Sequence, residues 1–228
     1  MDELDVIQTA LSRGCAEFMG REFLVEPGVL VPRAVTEVLI RACRAVLGAT
    51  EPERIVDLGC GCGMIGITLA LAYPRAHVVG LDIAADAVRV TQRNIEKFGL
   101  TERMEARLSN MFEAIPALAG CVDAIVSSPP FISSGQLAKG SAHLLAQEPR
   151  AAFDAGPYGI AIHQRLIIDG AKMLRQGSGW LVVEFGEGQD KQVARLIERA
   201  GSYQKVNTFR EHSNSFVASI AVQRTHQL

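Results

Sequence analysis

The stretch Ile55-Val56-Asp57-Leu58-Gly59-Cys60-Gly61-Cys62-Gly63 decides the fold of this chain. An apolar run with one acid leads directly into three glycines at alternate positions, and an apolar segment of helical length follows. This order indicates a buried strand, a tight turn and a helix. Glycine has no Cβ atom, so the backbone can adopt positive φ and a ligand can lie against it at the carboxyl end of the strand. The sequence therefore predicts a ligand site at this turn.

Two acids accompany the glycines. Asp82 comes 19 residues after Gly63, at the end of the next apolar run, where a carboxylate can accept hydrogen bonds from both hydroxyls of a ribose. Asp57 stands two residues before Gly59, where it can meet the charged amino acid end of S-adenosylmethionine but would repel a pyrophosphate. We therefore expect S-adenosylmethionine as the cofactor, with a nicotinamide dinucleotide as the main competitor.

Compact apolar runs alternate with helix-length stretches along most of the chain. Five runs read as buried strands, at residues 54–58, 77–81, 104–108, 122–126 and 180–185. Such alternation is typical of a parallel sheet, and two further runs at 203–209 and 215–222 read as an antiparallel pair at one edge. The sequence predicts a Rossmann-like, doubly wound α/β fold with a seven-stranded, mostly parallel sheet and a C-terminal edge hairpin.

Helical periodicity places the remaining elements. Leu4, Ile7 and Leu11 share one face of a short helix, and residues 18–31 read as a β-hairpin broken at Pro27-Gly28. Longer helices are predicted at residues 35–47, 84–98, 159–174 and 192–200. We expect residues 1–33 to form an N-terminal extension and residues 34–228 to form the main domain.

Composition excludes several classes of protein. A hydrophobic content of 48% predicts a packed core rather than disorder, and a net charge of −2 does not favour a broad nucleic-acid surface. The N-terminus is acidic and no apolar run is long enough to span a membrane, so we expect a cytoplasmic protein without membrane contact. The odd number of cysteines, without paired Cys or His spacing, indicates reduced thiols and no metal site: Cys15, Cys43, Cys60, Cys62 and Cys121.

The fourth strand ends in the segment Val126-Ser127-Ser128-Pro129-Pro130-Phe131, at the same sheet edge as the glycine turn. The two prolines stiffen the turn and leave the carbonyls of Ser128 and Pro129 as acceptors that could hold an NH2 group. Phe131 supplies a flat face for stacking a planar amide or base. We predict that this segment binds the reacting nitrogen, with Ser128, Pro129, Pro130 and Phe131 as the catalytic set.

This segment resembles the (Asn/Asp/Ser)-Pro-Pro-(Tyr/Phe) motif of amino-group methyltransferases. From about residue 18 onward the chain resembles the HemK/PrmC type of protein-glutamine N-methyltransferase, a class I enzyme dependent on S-adenosylmethionine. The resemblance rests on the glycine turn, Asp82 and four further segments, namely 29–33 with Thr36-Glu37, Glu148-Pro149, Gly156 with Gly159, and 183–186. It implies that Gly59 to Gly63, Asp82 and Met111 contact the cofactor and that Ser128 to Phe131 hold the substrate nitrogen.

The chain departs from that family at three places. Ser-Pro-Pro-Phe replaces the usual Asn-Pro-Pro-Tyr, and Asn110-Met111 stands where the family tends to have an aspartate followed by an aromatic residue near the adenine. Only 17 residues precede Phe18, so we expect no separate N-terminal helical substrate domain. These departures lead us to expect N-methylation of a small-molecule or amino-acid-derived substrate. The predicted cofactor-binding residues are Asp57, Gly59, Cys60, Gly61, Cys62, Gly63, Asp82, Asn110, Met111 and Ser128.

Other interpretations stay open at this stage. The alternatives are a protein-glutamine methyltransferase, a nucleic-acid amino methyltransferase, disfavoured by the acidic balance, and a cofactor-binding regulator without catalysis. Arg33, Phe131 and Glu148 are candidate substrate-binding residues, although a structural ion pair between Glu148 and Arg33 or Arg150 fits the sequence equally well. His143 is a candidate base or a solvated loop histidine. The oligomeric state has no signal in the sequence.

Overall fold

A computed structural model describes residues 3–139, 148–211 and 214–225. Seven α-helices lie within these residues: α1 Glu3–Arg13, α2 Glu37–Leu47, α3 Met64–Ala72, α4 Ala85–Lys97, α5 Ser134–Lys139, α6 Ala161–Met173 and α7 Asp190–Ala200. Nine strands accompany them: β1 Cys15–Phe18, β2 Arg21–Leu24, β3 Arg54–Leu58, β4 His77–Asp82, β5 Met104–Leu108, β6 Ala124–Ser127, β7 Trp180–Gly186, β8 Tyr203–Glu211 and β9 Asn214–Arg224.

Seven of these strands form one sheet in the order β5-β4-β3-β6-β7-β9-β8. The strands from β5 to β7 pair in parallel, whereas β9 runs antiparallel to both β7 and β8. The predicted doubly wound sheet with an antiparallel C-terminal pair is therefore confirmed. The chain leaves β3 toward one edge and returns at β6 toward the other, so the crevice between β3 and β6 is the switch point where ligands bind in such sheets.

Two apolar cores cover the two faces of the sheet. One contains buried side chains from α1 to α4, and the other contains buried side chains from α6 and α7. Phe23 of β2 belongs to the first core and packs on Phe98, with ring centroids 5.0 Å apart. The N-terminal residues thus share a core with the sheet, and the division of the chain at residue 33 stays a prediction.

Asn94 of α4 ties the N-terminal hairpin to the glycine turn. Its Oδ1 accepts from the backbone N–H of Leu24 at 2.8 Å, and its Nδ2 donates to the carbonyls of Leu24 at 3.0 Å and Cys62 at 2.8 Å. A buried side-chain amide that is satisfied in this way fixes both segments against the same helix.

The N-terminal hairpin lies earlier in the chain than predicted. Its strands β1 and β2 are joined at Met19-Gly20, where both residues have positive φ, and Phe18 pairs with Arg21. Two positive φ values suit a two-residue hairpin turn, but methionine rarely adopts one, so the sequence carried no strong signal there. The prediction of a hairpin across Pro27-Gly28 is wrong, because residues 25–33 run instead across the carboxyl ends of the strands.

The remaining boundaries agree with the sequence within a few residues. The predicted strand at 122–126 is shorter at its start, because Val122 makes only a single bridge to Leu174 before β6 begins. A short 3-10 helix, Ala34–Thr36, precedes α2. Among the residues that the structure describes, no helix combines the length and apolar character needed to cross a membrane.

Candidate active site

A cavity of about 220 Å³ opens at the switch point of the sheet. It lies at the carboxyl ends of β3, β4 and β6, where the loops after these strands meet residues 28–30 from the N-terminal segment. Six of the ten predicted cofactor-binding residues line it: Gly59, Gly61, Asp82, Asn110, Met111 and Ser128. The predicted cofactor turn and the predicted reactive motif therefore share one cavity.

The glycine turn presents bare backbone to this cavity. Gly59 and Gly61 have φ values of 75° and 57°, and a Cβ atom built on either residue would meet no protein atom within 4 Å. The turn is held by the carbonyl of Leu81, which accepts from the N–H groups of Gly59 at 2.7 Å and Cys60 at 3.1 Å. Positive φ and empty space beside the main chain together form a cradle in which a ligand can lie on the backbone.

Four predicted cofactor-binding residues lie behind this wall. Asp57 is fully buried beneath α3, where its Oδ2 accepts from the Gly66 N–H at 2.8 Å. Burial raises the pKa of the Asp57 carboxyl to about 7, and the hydrogen bond from Gly66 opposes the shift. Gly63 packs its Cα against Thr91, which explains the absence of a side chain there. The cysteines Cys60 and Cys62 are also buried, and burial raises the pKa of each thiol.

Asp82 joins the glycine turn to the start of α4. Its Oδ2 accepts from the Gly61 N–H at 3.0 Å, and its Oδ1 accepts from the Ala84 N–H at 2.9 Å. Each carboxylate oxygen can accept a second hydrogen bond, so a ligand in the cavity can still donate to both. The predicted role of Asp82, to accept hydrogen bonds from the ribose hydroxyls, fits this placement and stays a prediction.

The loop after β5 carries Asn110 and Met111. Met111 has a φ of 55°, an uncommon value for a residue with a side chain. Ser109 stabilises this conformation, since its hydroxyl donates to the Met111 carbonyl at 2.8 Å and accepts from the Ala114 N–H at 3.1 Å. The Asn110 side-chain amide donates to Glu113 within the same loop at 2.9 Å.

Ser128 has a partner that the sequence analysis did not single out for chemistry. Its hydroxyl donates to Oε1 of Glu184, a residue of β7 that is 2% exposed, at 2.9 Å. Burial raises the pKa of the Glu184 carboxyl to about 7, while the hydroxyls of Ser128 and Thr36 oppose the shift. The sequence signal for Glu184 was a single acid in an otherwise apolar run, Val182-Val183-Glu184-Phe185.

Phe131 lies outside the cofactor cavity. It lines an adjoining open groove of about 1050 Å³ between α5 and the loop from β7 to α7. Gln189 holds it there, because the Gln189 Nε2 donates to the carbonyls of Phe131 at 2.8 Å and Gly159 at 3.1 Å. A Cβ atom on Gly186 would lie 2.8 Å from the Phe131 ring, so only glycine permits this ring position. The sequence analysis missed Gln189, which has no motif of its own.

Arg33 and Glu148 form an ion pair beside the cavity without lining it. The Glu148 carboxylate is fully buried and receives both terminal nitrogens of Arg33, at 3.1 and 2.5 Å, together with the Val31 N–H at 2.7 Å. This arrangement is the structural ion pair among the alternatives given above. His143 lies outside the described residues. Within the described ranges, no group of three His, Cys, Asp or Glu side chains has metal-binding geometry.

Comparison with known proteins identifies the family of this chain. The family model described as methyltransferase small domain matches residues 34–156. The chain is 36% identical over 206 residues to the release factor glutamine methyltransferase of Thermosynechococcus vestitus, covering 88% of this chain and 69% of that protein. It is 34% identical over 211 residues to the enzyme of the same name from Moorella thermoacetica, covering 92% and 73%.

The chain belongs to the HemK/PrmC family of S-adenosylmethionine-dependent methyltransferases. Solved structures support the fold alone. The methyltransferase superposes on the delta-N METTL16 MTase domain with a TM-score of 0.67 at 16% identity, over 98% of this chain and 99% of that one. The ribosomal protein L11 methylase from Lactobacillus delbrueckii subsp. bulgaricus gives 0.58 at 13% identity, over 92% and 90%.

The residues that line the cavity fit S-adenosylmethionine, the cofactor of this family. The open cradle at Gly59 and Gly61 accommodates an elongated ligand against the main chain, and Asp82 supplies acceptors beside it. Apolar side chains of Leu30, Met111 and Ile162 contribute further lining. Ser128 lines the same cavity.

Proposed function

We propose that this methyltransferase transfers a methyl group to the side-chain amide nitrogen of a glutamine in a protein. The relatives named above are release factor glutamine methyltransferases, at identities of 34 to 36%. This proposal takes up the alternative given in the sequence analysis, because no relative described here is named for a small-molecule substrate.

One observation carries the proposal. The motif loop borders two spaces, with Ser128 to Pro130 lining the cofactor cavity and Phe131 lining the open groove. At about 1050 Å³ the groove is at the upper end of the size of small-molecule pockets, and it is open to solvent, so it has room for an extended ligand. A polypeptide segment can lie in such a groove and extend one side chain past Phe131 toward Ser128.

The mechanism needs no covalent enzyme intermediate. S-adenosylmethionine, when bound, supplies an electrophilic methyl group on sulfur. The carbonyls of Ser128 and Pro129 accept from the amide NH2 group, while Phe131 stacks on the planar amide. Fixing the nitrogen in line with the methyl group supplies a large share of the rate, because the reaction becomes effectively unimolecular.

The test is methylation of a purified bacterial release factor with isotopically labelled cofactor, followed by tandem mass spectrometry of the peptides. We expect a methyl group on a glutamine side chain. Phe131→Ala should lower turnover by about 5- to 150-fold, the equivalent of about 1 to 3 kcal/mol of stacking, and should leave cofactor affinity nearly unchanged. A labelled ester or ether, or an unlabelled release factor, would contradict the proposal.

A small-molecule acceptor is the second candidate, and the residue at position 128 favours it. A serine hydroxyl cannot form the two side-chain hydrogen bonds that an asparagine amide forms with a primary amide. The two candidates separate in one assay, in which release factor and a panel of small amides and amines compete for the same labelled cofactor. A labelled release factor with an unlabelled panel would favour the protein acceptor, and the reverse result would favour a small molecule.

A further inference from the structure

Ser128 and Glu184 form a hydrogen-bonded pair that runs from the cavity wall into the interior. Ser128 lines the cavity, and its hydroxyl donates to Glu184 Oε1 at 2.9 Å. Among the described residues, Oε2 of Glu184 has no hydrogen-bond partner of ordinary geometry, although it is buried. A buried carboxyl group without full satisfaction destabilises the fold, so its presence behind the motif calls for a function.

None of the described side chains that face the Glu184 carboxyl group is a cation. Thr36 from the turn before α2 and Ser128 from the loop after β6 face the carboxyl group with hydroxyls. His163 from α6 contacts the Glu184 carbonyl through Nε2 at 2.9 Å, and burial lowers the pKa of its ring, which keeps it neutral. A buried carboxylate without a neighbouring cation has a high affinity for a proton.

An amide nitrogen that gains a methyl group becomes strongly acidic and must lose its proton. The sequence offered carbonyl acceptors near this nitrogen but no base, and the structure places one behind Ser128. We propose that Ser128 and Glu184 form a proton relay for methyl transfer, in which Ser128 is a catalytic residue and Glu184 a positioning residue that receives the proton.

The relay balances as follows. The nitrogen lone pair forms the new N–C bond while the C–S bond breaks, with its electron pair remaining on sulfur. As the nitrogen becomes tetrahedral, one N–H group turns from the Ser128 carbonyl to Ser128 Oγ, while the other stays on the Pro129 carbonyl. The N–H bond to Oγ breaks, its proton moves to Ser128 Oγ, and the original Ser128 proton moves to Glu184 Oε1. After the product leaves, Glu184 returns the proton through Ser128 to water. The relay rests on the proposed function, because it takes a nitrogen as the acceptor.

The first experiment needs no substrate. Protein labelled with ¹³C at the glutamate carboxyl carbons is titrated by NMR, with S-adenosylhomocysteine bound. One carboxyl should titrate near pH 7 rather than near the ordinary value of about 4.3. That signal should be missing in Glu184→Gln and should shift to higher pH in Ser128→Ala, which loses the hydrogen bond to the carboxylate. No such signal, or one indifferent to Ser128→Ala, would overturn the relay.

The second experiment measures kcat/KM against pH with release factor, or with N-acetylglutamine amide if release factor is inert. The rate should rise through about pH 7 to a plateau, because the relay needs Glu184 ionised. Glu184→Gln and Ser128→Ala should each lose about 100-fold at the plateau, and the double variant should lose no more than either single one. Glu184→Asp should keep the pH dependence, whereas Glu184→Gln should lose it.

Circular dichroism serves as the folding control for every variant, and Ser202→Ala removes a remote hydroxyl as a matched control. A Glu184→Gln enzyme with the rate and pH profile of the parent would overturn the relay. If both acceptors prove inert, the proposed function fails, and the NMR titration then decides by itself whether the pair behaves as a relay.

Discussion

Among single residues, Asp82 links the glycine turn to the start of α4. Its two carboxylate oxygens receive the N–H groups of Gly61 and Ala84, and the residue lines the cavity. The residue therefore both shapes the turn and presents negative charge to a ligand.

Asp82→Ala should weaken binding of S-adenosylmethionine by about 2 to 3 kcal/mol, as expected for lost charge-assisted hydrogen bonds. Calorimetric titration measures the change. Asp169→Ala, which removes an acid of α6 that pairs with Lys172, is the matched control and should leave affinity unchanged. Equal affinity in parent and Asp82→Ala would show that the ligand binds elsewhere.

Gly61→Val should abolish cofactor binding and leave the fold intact. The added Cβ atom would enter cavity space and meet no protein atom within 4 Å, so the main folding cost is the strain of positive φ. Gly201→Val is a closely matched control, because Gly201 has a φ of 60° and equally open surroundings but lies at the end of α7. Circular dichroism and titration should show both variants folded and only Gly61→Val unable to bind.

At the scale of elements, the N-terminal segment closes one side of the cofactor site. Residues 25–33, here called the strap, cross the sheet edge and line the cavity with Gly28, Val29 and Leu30. Glu26 anchors one end through Arg89 and Arg93 of α4, and Arg33 anchors the other through Glu148. The sequence motif around Arg33 thus serves the cavity indirectly, by holding the strap.

Glu148→Gln should destabilise the protein by about 3 kcal/mol, because it leaves the Arg33 charge poorly compensated in a site where that side chain is 18% exposed. Urea denaturation gives the free energy of unfolding. The double variant Arg33→Met with Glu148→Leu should recover part of the loss, since it removes both charges. Glu105→Gln, which breaks an exposed ion pair with Arg107, is the control and should lower the free energy of unfolding by less than about 1 kcal/mol. A similarly small loss in Glu148→Gln would argue against an anchored strap.

For the whole molecule, two buried acids set how stability depends on pH. Asp57 and Glu184 have pKa values raised to about 7 by burial. The unfolded chain releases these protons near pH 4, so between about pH 4 and pH 7 the folded state binds more protons than the unfolded state. The free energy of unfolding contributed by these groups therefore falls as pH rises through that window.

The slope should reach about 1.4 kcal/mol per pH unit for each group. Asp57→Asn should flatten the decline between pH 5 and pH 7 in urea denaturation, and Asp169→Asn should not. Unchanged slopes in Asp57→Asn would mean that Asp57 titrates in its ordinary range. The two acids lie on either side of the motif strand β6, Asp57 on β3 and Glu184 on β7.

Much of this architecture could be predicted from the sequence. Runs of apolar residues flanked by turns located the inner strands, because a strand buried on both faces must be apolar along its length. The prediction of a buried strand at 104–108 is wrong in its burial, since β5 lies at the sheet edge and is largely exposed. The glycine turn, Asp82 and the motif at Ser128 were also recognisable locally, since each depends on short-range backbone geometry. The hairpin turn at Met19-Gly20 was not, because its positive φ is imposed by packing around Phe18 and Phe23 rather than by residue type.

The sequence by itself determined the fold class and the positions of the glycine turn and of the Ser128 to Phe131 segment. Only the tertiary structure decided which side chains line the cavity and which lie behind it. Asp57 turns under α3, Phe131 turns into the open groove, and Glu184 meets Ser128 from 56 positions away. The physical reason is the strand order, because pairing β6 beside β7 sets Ser127 against Val183 and so brings the next residues of both strands together at the carboxyl edge.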